Sequence, residues 1–212
     1  GLTVTGGLAS NAGGIRIEGT SPVLRNLIVT GNAAFQQGED SGCGGGIWLS
    51  GSASRLEGLT VSGNQADEDG AGIWILDSTP SLIHVTAEDN TAGLYGGGLY
   101  VQDSVTDVEQ LVLSGNHAGF LGGGAWLGGG QTQGQGLTVS GNTTDDCDSC
   151  AGGGLALSWS GATLADLQVS HNASRDGGGI HVGGDATLRN AVLSHNDATG
   201  AGGGMRVDDA IV

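Results

Sequence analysis

Hydrophobic and polar residues alternate in short stretches along the whole chain, and these stretches recur at a nearly constant distance. In residues 96–116, a glycine run leads into an alternating segment, a turn, a second alternating segment and a closing Ser-Gly-Asn. Strict alternation predicts β-strands that bury one face. Variants of this unit fill the sequence. Their closing asparagines, spaced 24 to 32 residues apart, are Asn32, Asn64, Asn90, Asn116, Asn142, Asn172 and Asn196.

A repeat of this length is typical of solenoids, in which each unit stacks on its neighbours. Each unit holds two predicted strands, and neither has a partner at hairpin spacing. Because no helical stretch is available for a crossover, stacking pairs equivalent strands in parallel, with right-handed connections as the default. We therefore predict an all-β, right-handed, single-stranded parallel β-helix of about eight rungs. It forms one domain over residues 1–212, with loop insertions at 33–44 and 143–152.

The asparagine column has a structural interpretation. An asparagine at a turn accepts the left-handed backbone conformation and satisfies nearby backbone groups. Stacked at the spacing of adjacent strands, the amides can hydrogen-bond to one another along the axis as a ladder. We predict such a ladder along the seven closing asparagines. Glycine pairs mark the opposite bend, where a Cβ atom would be crowded.

Composition limits the classes of partner. The net charge is −16, and all six basic residues are arginine. Phosphate binding requires clustered basic residues, so we expect no nucleic-acid partner, and the same reasoning excludes anionic membrane surfaces. No apolar run of about 18 residues is present, so we expect no membrane insertion. Both ends of the sequence lie inside the repeat. We therefore expect the chain to be part of a longer protein, with open sheet edges that pair with neighbouring segments or another copy.

The three cysteines are Cys43, Cys147 and Cys150. An odd number leaves at least one unpaired within the chain. Cys147 and Cys150 flank two residues in an acidic loop, and we favour a loop disulfide over a metal site or free thiols, since zinc requires four ligands. A bridge from Cys43 to Cys147 is disfavoured, because four stacked units separate them.

One outward-facing column of the first strand carries four consecutive aromatic residues. They are Trp48, Trp74, Tyr100 and Trp126. Stacked rung over rung, they predict an exposed aromatic strip, and contiguous exposed apolar surface usually contacts a partner. Three interpretations remain open: stabilisation of the sheet by ring stacking, contact with a protein or another copy, and contact with a glycan. The apolar turns Leu94-Tyr95 and Phe120-Leu121 lie near this strip.

Acidic residues offer weaker candidates for chemistry. Asp77 and Asp103 fall on adjacent rungs, where two carboxylates can form a glycosidase pair, but no basic residue accompanies them. Acidic clusters occur at Glu39 and Asp40, at 67–69, and at Asp145, Asp146 and Asp148. Calcium requires six to eight converging oxygens, so we expect solvated loops and no cofactor. If a cation such as Ca²⁺ binds, Asp145, Asp146 and Asp148 are the favoured ligands.

The repeat resembles that of polymorphic outer membrane proteins. Glycine pairs followed by an aliphatic residue (45–47, 97–99) alternate with aliphatic-x-x-Asn segments (61–64, 139–142). The family pairs GGA[ILV] with FxxN; this chain lacks the phenylalanine and also resembles pectate-lyase-like β-helix proteins. The resemblance implies a secreted or bacterial surface module. We expect a non-enzymatic structural or adhesive function, with protein, self-association or glycan as partner. The alternative is a carbohydrate-active lyase or glycosidase, or a carbohydrate-binding protein.

Overall fold

A computed structural model describes residues 1–37 and 42–208. In these residues the chain winds into stacked coils made of parallel strands, with turns between them and no helix. Equivalent positions of successive units lie side by side: Trp74, for example, pairs with Trp48 on one side and Tyr100 on the other. The predicted all-β parallel solenoid of about eight rungs is confirmed.

Three parallel sheets run along the axis. Sheet 1 contains the eight strands that follow the glycine runs: Ile15–Glu18, Ile47–Ser50, Ile73–Leu76, Leu99–Gln102, Ala125–Gly128, Leu155–Ser158, Ile180–Gly183 and Met205–Asp208. Sheet 2 contains twelve: Leu2–Thr5, Val23–Arg25, Leu27–Thr30, Arg55–Glu57, Thr60–Ser62, Ser81–Ile83, Thr86–Glu88, Val105–Glu109, Val112–Ser114, Gln131–Ser140, Ala162–Ser170 and Ala186–Ser194. Sheet 3 contains eight short strands: Leu8–Ala9, Ala33–Ala34, Gln65–Ala66, Thr91–Ala92, His117–Ala118, Thr143–Thr144, Ala173–Ser174 and Asp197–Ala198.

The expectation of two strands per unit is wrong in two respects. Sheet 3 follows each ladder asparagine, and its two-residue strands are too short to show a period in the sequence. The second predicted strand is also bent. Residues such as His84 (φ 52°) and Gln110 (φ 53°) adopt the left-handed conformation and divide it into two shorter strands. The chain therefore turns more often per coil than alternation alone indicates.

The inward-facing side chains form one continuous core. The two inward-facing residues of each central strand of sheet 1, such as Ile73 and Ile75, are fully buried, and so are Leu82, Val85 and Ala87 of sheet 2. A single hydrophobic cluster extends from Ile17 to Val182 along the axis. Each buried aliphatic side chain contributes about 1.5–3 kcal/mol relative to exposure, so the stacked core supplies most of the stability.

Candidate binding site

The ladder asparagines make a continuous chain of buried hydrogen bonds. Asn90, for instance, donates its backbone N–H and its Nδ2 to Oδ1 of Asn116, at 3.1 and 3.0 Å. Its second Nδ2 hydrogen reaches the carbonyl of Val61 at 3.0 Å. The same geometry links the equivalent asparagines from Asn32 to Asn196. These side chains are committed to the turn and are not available for a ligand.

The four aromatic rings of the outward column stack on one another. The ring centroids are 5.0 Å apart for Trp48 and Trp74, 6.0 Å for Trp74 and Tyr100, and 4.7 Å for Tyr100 and Trp126. The expectation that this strip is exposed is wrong at its centre. Trp74 and Tyr100 are only 9% and 5% exposed, whereas Trp48 and Trp126 are half-buried.

The turns that follow sheet 3 bury the centre of the aromatic column. Cys43 packs against Trp74 and Tyr100, and Tyr95 joins the same cluster. Tyr95 also meets Phe120 edge-on at 5.7 Å and lies 5.8 Å from the ring of Trp126. The apolar turns therefore pack onto the column, and ring stacking stabilises this side of the solenoid.

Asp69 is the carboxylate most strongly affected by this packing. Its Oδ1 accepts a hydrogen bond from the backbone N–H of Tyr95 at 3.2 Å. Burial raises the pKa of Asp69 to about 7; the negative charge of Glu68 adds to this effect and the Tyr95 N–H opposes it. Burial, together with the nearby Asp69 charge, also raises the pKa of Tyr100 above its usual range.

Replacing Asp69 by asparagine is expected to stabilise the protein above pH 7. The raised pKa means that the folded state holds a proton that the unfolded state releases, so Asp69 lowers stability as pH rises from about 4 to 7. An asparagine side chain keeps an oxygen for the Tyr95 N–H without the charge. Urea unfolding should show D69N more stable than wild type by on the order of 2–4 kcal/mol at pH 8 and equal to it near pH 4. The exposed Asp107→Asn is the control, and a pH-independent difference for D69N would contradict the assignment.

A cleft of about 470 Å³ opens where the aromatic column ends. The side chains of Trp126 and Trp159 line it, together with Tyr100, Gln102, Asp103 and Ser158. At position 156 the column has alanine where its four preceding members are aromatic, so no fifth ring continues the stack. A Cβ at Gly128 would lie 1.9 Å from the Trp126 ring, so glycine at 128 leaves room for the outer edge of the indole.

Trp159 is the residue of this cleft that the sequence pattern did not single out. It follows the strand Leu155–Ser158 at the position that glycine or aspartate holds in neighbouring coils. Its side chain is 67% exposed, and its backbone has a φ of 53°. A bulky residue at positive φ is an outlier that costs about 1 kcal/mol or more. The sequence did contain one signal for Trp159: it is a tryptophan at a turn position where the other coils have glycine or aspartate.

Asp77 and Asp103 are both exposed turn residues. Each occupies the left-handed conformation, with φ of 46° and 48°, at the turn where other coils have glycine. Among residues 1–37 and 42–208, no ion pair joins either aspartate to a basic side chain. A turn role therefore accounts for both residues. Only Asp103 lines the cleft, and its Oδ2 accepts a hydrogen bond from Gln102 Nε2 at 3.2 Å.

The acidic residues of the 143–152 insertion face different partners. Asp145 lies 3.3 Å from His117, Asp146 accepts a hydrogen bond from Thr199, and Asp148 pairs with Arg175 at 3.1 Å. The described part of the chain holds no group of three His, Cys, Asp or Glu residues that could bind a metal ion. The three carboxylates therefore contact separate neighbours in this structure, and cation binding by Asp145, Asp146 and Asp148 stays a prediction.

The insertion also carries the cysteine pair. A disulfide joins Cys147 to Cys150, with the two Cα atoms 5.0 Å apart, and Cys43 is buried in the aromatic cluster. Of the acidic clusters considered in the sequence, Glu39 and Asp40 lie outside the described residues. Within the described ranges, no helix is long and apolar enough to cross a membrane.

A family model described as a right handed beta helix region matches residues 13–210. No curated protein and no solved structure matches the chain.

Proposed function

The chain belongs to the right-handed β-helix family, and from this premise we propose that it is a non-enzymatic, extracellular adhesive module that binds a partner through the cleft beside Trp126 and Trp159. The stacked coils serve as a rigid scaffold, and the partner contacts their lateral face. We place the protein in the secreted fraction or on a bacterial cell surface.

The exposed indole of Trp159 carries this proposal. Its side chain stands 67% exposed on a left-handed backbone, at the edge of a cleft that a second tryptophan lines. Neighbouring coils show that glycine fits the same turn without the conformational cost. A costly aromatic residue that is not buried is explained best by contact with something outside the chain. Tryptophan is also enriched among the residues that dominate binding energy.

The arrangement of carboxylates favours binding over catalysis. A glycosidase needs two carboxyl groups facing one bond. Asp77 and Asp103 instead hold left-handed turns, and no basic side chain lines the cleft. The carbohydrate-active alternative therefore has no assembled group of residues to act through on this face.

The disulfide supports an oxidising location. Disulfides form and persist mainly in secreted and surface proteins. The Cys147–Cys150 bridge lies in an exposed acidic insertion. The disulfide therefore supports a site of action outside the cell.

Replacing Trp159 by alanine is expected to weaken binding by about tenfold or more, because the exposed indole supplies the largest apolar contact of the cleft. The measurement uses wild type and W159A on a printed glycan array and a panel of purified extracellular matrix proteins. Val105→Ala is the control, since Val105 is 48% exposed on sheet 2 and does not line the cleft.

Three results would overturn the proposal: no binding by the wild type, equal binding by W159A, or equal loss in V105A. A reducing-sugar assay on the bound glycans tests the enzymatic alternative. Release of reducing ends by the wild type would favour a carbohydrate-active enzyme instead.

A further inference from the structure

We propose that the cleft beside Trp126 and Trp159 binds an uncharged sugar ring at the surface of a neutral glycan. The inference rests on the proposed adhesive function and specifies its ligand. It follows from four features of the cleft: its aromatic walls, its size, its hydrogen-bonding groups and its charge.

The aromatic walls suit a flat ring. Tyr100 stacks on one face of Trp126 at 4.7 Å, and the next rung offers alanine at 156 rather than another aromatic side chain. The outer edge of the indole extends over Gly128, which has no Cβ to block it. Trp159 reaches over the next coil, where the Cβ of an alanine at Gly184 would lie 3.6 Å from its Cε3. Two indoles of this kind offer apolar faces for the C–H side of a pyranose.

The size of the cleft favours a small ligand over a protein surface. Its volume of about 470 Å³ lies within the range of about 300–1,000 Å³ that is usual for small-molecule sites. A stable protein interface buries about 800 Å² per partner around a cluster of apolar anchors. Between residues 42 and 160, three large hydrophobic residues are exposed: Leu94, Val105 and Trp159. Val105 belongs to sheet 2, so Leu94 and Trp159 are the two that remain in this range as apolar anchors for a protein.

The polar groups of the cleft form an ordered chain that ends in an acceptor. The hydroxyl of Tyr100 donates to Oε1 of Gln102, and Nε2 of Gln102 donates to Oδ2 of Asp103 at 3.2 Å. The exposed Asp103 carboxylate has further lone pairs directed to solvent. Such a carboxylate accepts hydrogen bonds from sugar hydroxyls, while the neighbouring amide and Ser158 hydroxyl add directional contacts.

The charge of the cleft selects against acidic sugars. Asp103 is its one ionisable carboxylate, and the cleft lining contains neither arginine nor histidine. The chain has no lysine, and its net charge is −16. A uronic acid or a sulfated sugar would bring a second negative charge beside Asp103 without a counter-ion, which disfavours its binding. The preferred glycan is therefore built of neutral hexoses or N-acetylhexosamines.

The test is isothermal titration of wild type, W159A, D103N and D77N with hexasaccharides of β-1,4-glucose, β-1,4-mannose, β-1,4-N-acetylglucosamine and α-1,4-galacturonate. We expect the wild type to bind at least one neutral hexasaccharide and to bind galacturonate more than about tenfold more weakly. W159A should lose about tenfold or more in affinity for the neutral ligand. D103N should reduce the difference in affinity between the neutral and the acidic hexasaccharides, because it removes the negative charge of the cleft. Asparagine fits the same left-handed turn as aspartate, so the backbone is kept.

Asp77→Asn is the matched control. Asp77 holds the equivalent turn one coil earlier, with φ of 46°, and does not line the cleft, so D77N should bind as the wild type does. Binding of galacturonate as tight as that of the neutral sugars, or D103N behaving as D77N does, would overturn the assignment of a neutral ligand. Loss of matrix-protein binding in W159A with no glycan binding by the wild type would overturn the sugar but leave the adhesive function standing. Binding that is insensitive to W159A in every assay would overturn both.

Discussion

Replacing Gly97 by alanine is expected to destabilise the protein by on the order of 3 kcal/mol or more. A Cβ at this position would lie 2.3 Å from the carbonyl oxygen of His117 and 2.5 Å from that of Gly123. Both atoms belong to the backbone of the neighbouring coil, so no side chain can move aside. Relief requires the two coils to separate locally, which weakens the hydrogen bond from the Gly97 N–H to Gly122, now 3.2 Å long.

Gly141→Ala separates this steric effect from backbone strain. Gly141 has a φ of 66°, but its nearest neighbour to a new Cβ is the Gly115 nitrogen at 3.9 Å. Alanine at position 141 should therefore destabilise the protein only through the cost of its left-handed backbone conformation, about 1 kcal/mol. Urea unfolding at pH 7, followed by circular dichroism, measures the free energy of unfolding of both variants. We expect G97A to lose more of this free energy relative to wild type than G141A does. The reverse order would show that the glycine pairs are not required by the close approach of the coils.

Much of the architecture was predictable from the repeat itself. A constant period aligns equivalent residues into columns, and a column of inward aliphatics such as Ile47, Ile73 and Leu99 can only be satisfied by a shared core. The asparagine ladder follows for the same reason, since an amide at a fixed position in every coil lies next to the equivalent amides of the coils above and below. Periodicity therefore identified parallel stacking, register and core without any knowledge of the turns.

The turns carry the features that the sequence did not reveal. Their residues differ from coil to coil, so no column predicts that Cys43 and Tyr95 fold over Trp74 and Tyr100. Burial of these two rings, and the raised pKa of Asp69 beside them, depends on packing between non-periodic segments. The two-residue strands of sheet 3 were likewise too short to show alternation.

Trp159 is a second example of a turn residue that the repeat did not predict. Its importance comes from occupying a left-handed turn beside a cleft, and neither the backbone angle nor the cleft is encoded in local alternation. The aromatic strip predicted from the column and the cleft observed in the structure share only Tyr100 and Trp126. The repeating aromatic column indicated the face of the solenoid on which the cleft lies. Trp159, which departs from the repeat, marks the position of the cleft on that face.

Replacing Asn116 by alanine is expected to cost about 4–6 kcal/mol, a large part of the stability of an ordinary domain. Oδ1 of Asn116 accepts from the backbone N–H of Asn90 at 3.1 Å and from its Nδ2 at 3.0 Å. Nδ2 of Asn116 donates to the carbonyl of Ala87 and to Oδ1 of Asn142, both at 2.9 Å. Asn116 is fully buried, so water cannot replace these four bonds. Alanine leaves the backbone N–H of Asn90 without this acceptor and removes one donor from the carbonyl of Ala87.

Asn196→Ala provides the comparison within the same ladder. Asn196 makes three equivalent side-chain bonds, to Asn172 and to the carbonyl of Val169, but it is only half-buried at the last described rung. Water can reach the groups that its removal exposes, so N196A should cost only about 1–2 kcal/mol. Urea unfolding measures both variants, and limited proteolysis reports N116A if it does not fold at all. Since the two substitutions remove the same chemistry, equal losses would mean that burial does not set the energy of the ladder, and a loss below about 1 kcal/mol for N116A would mean that the ladder does not hold the coils together.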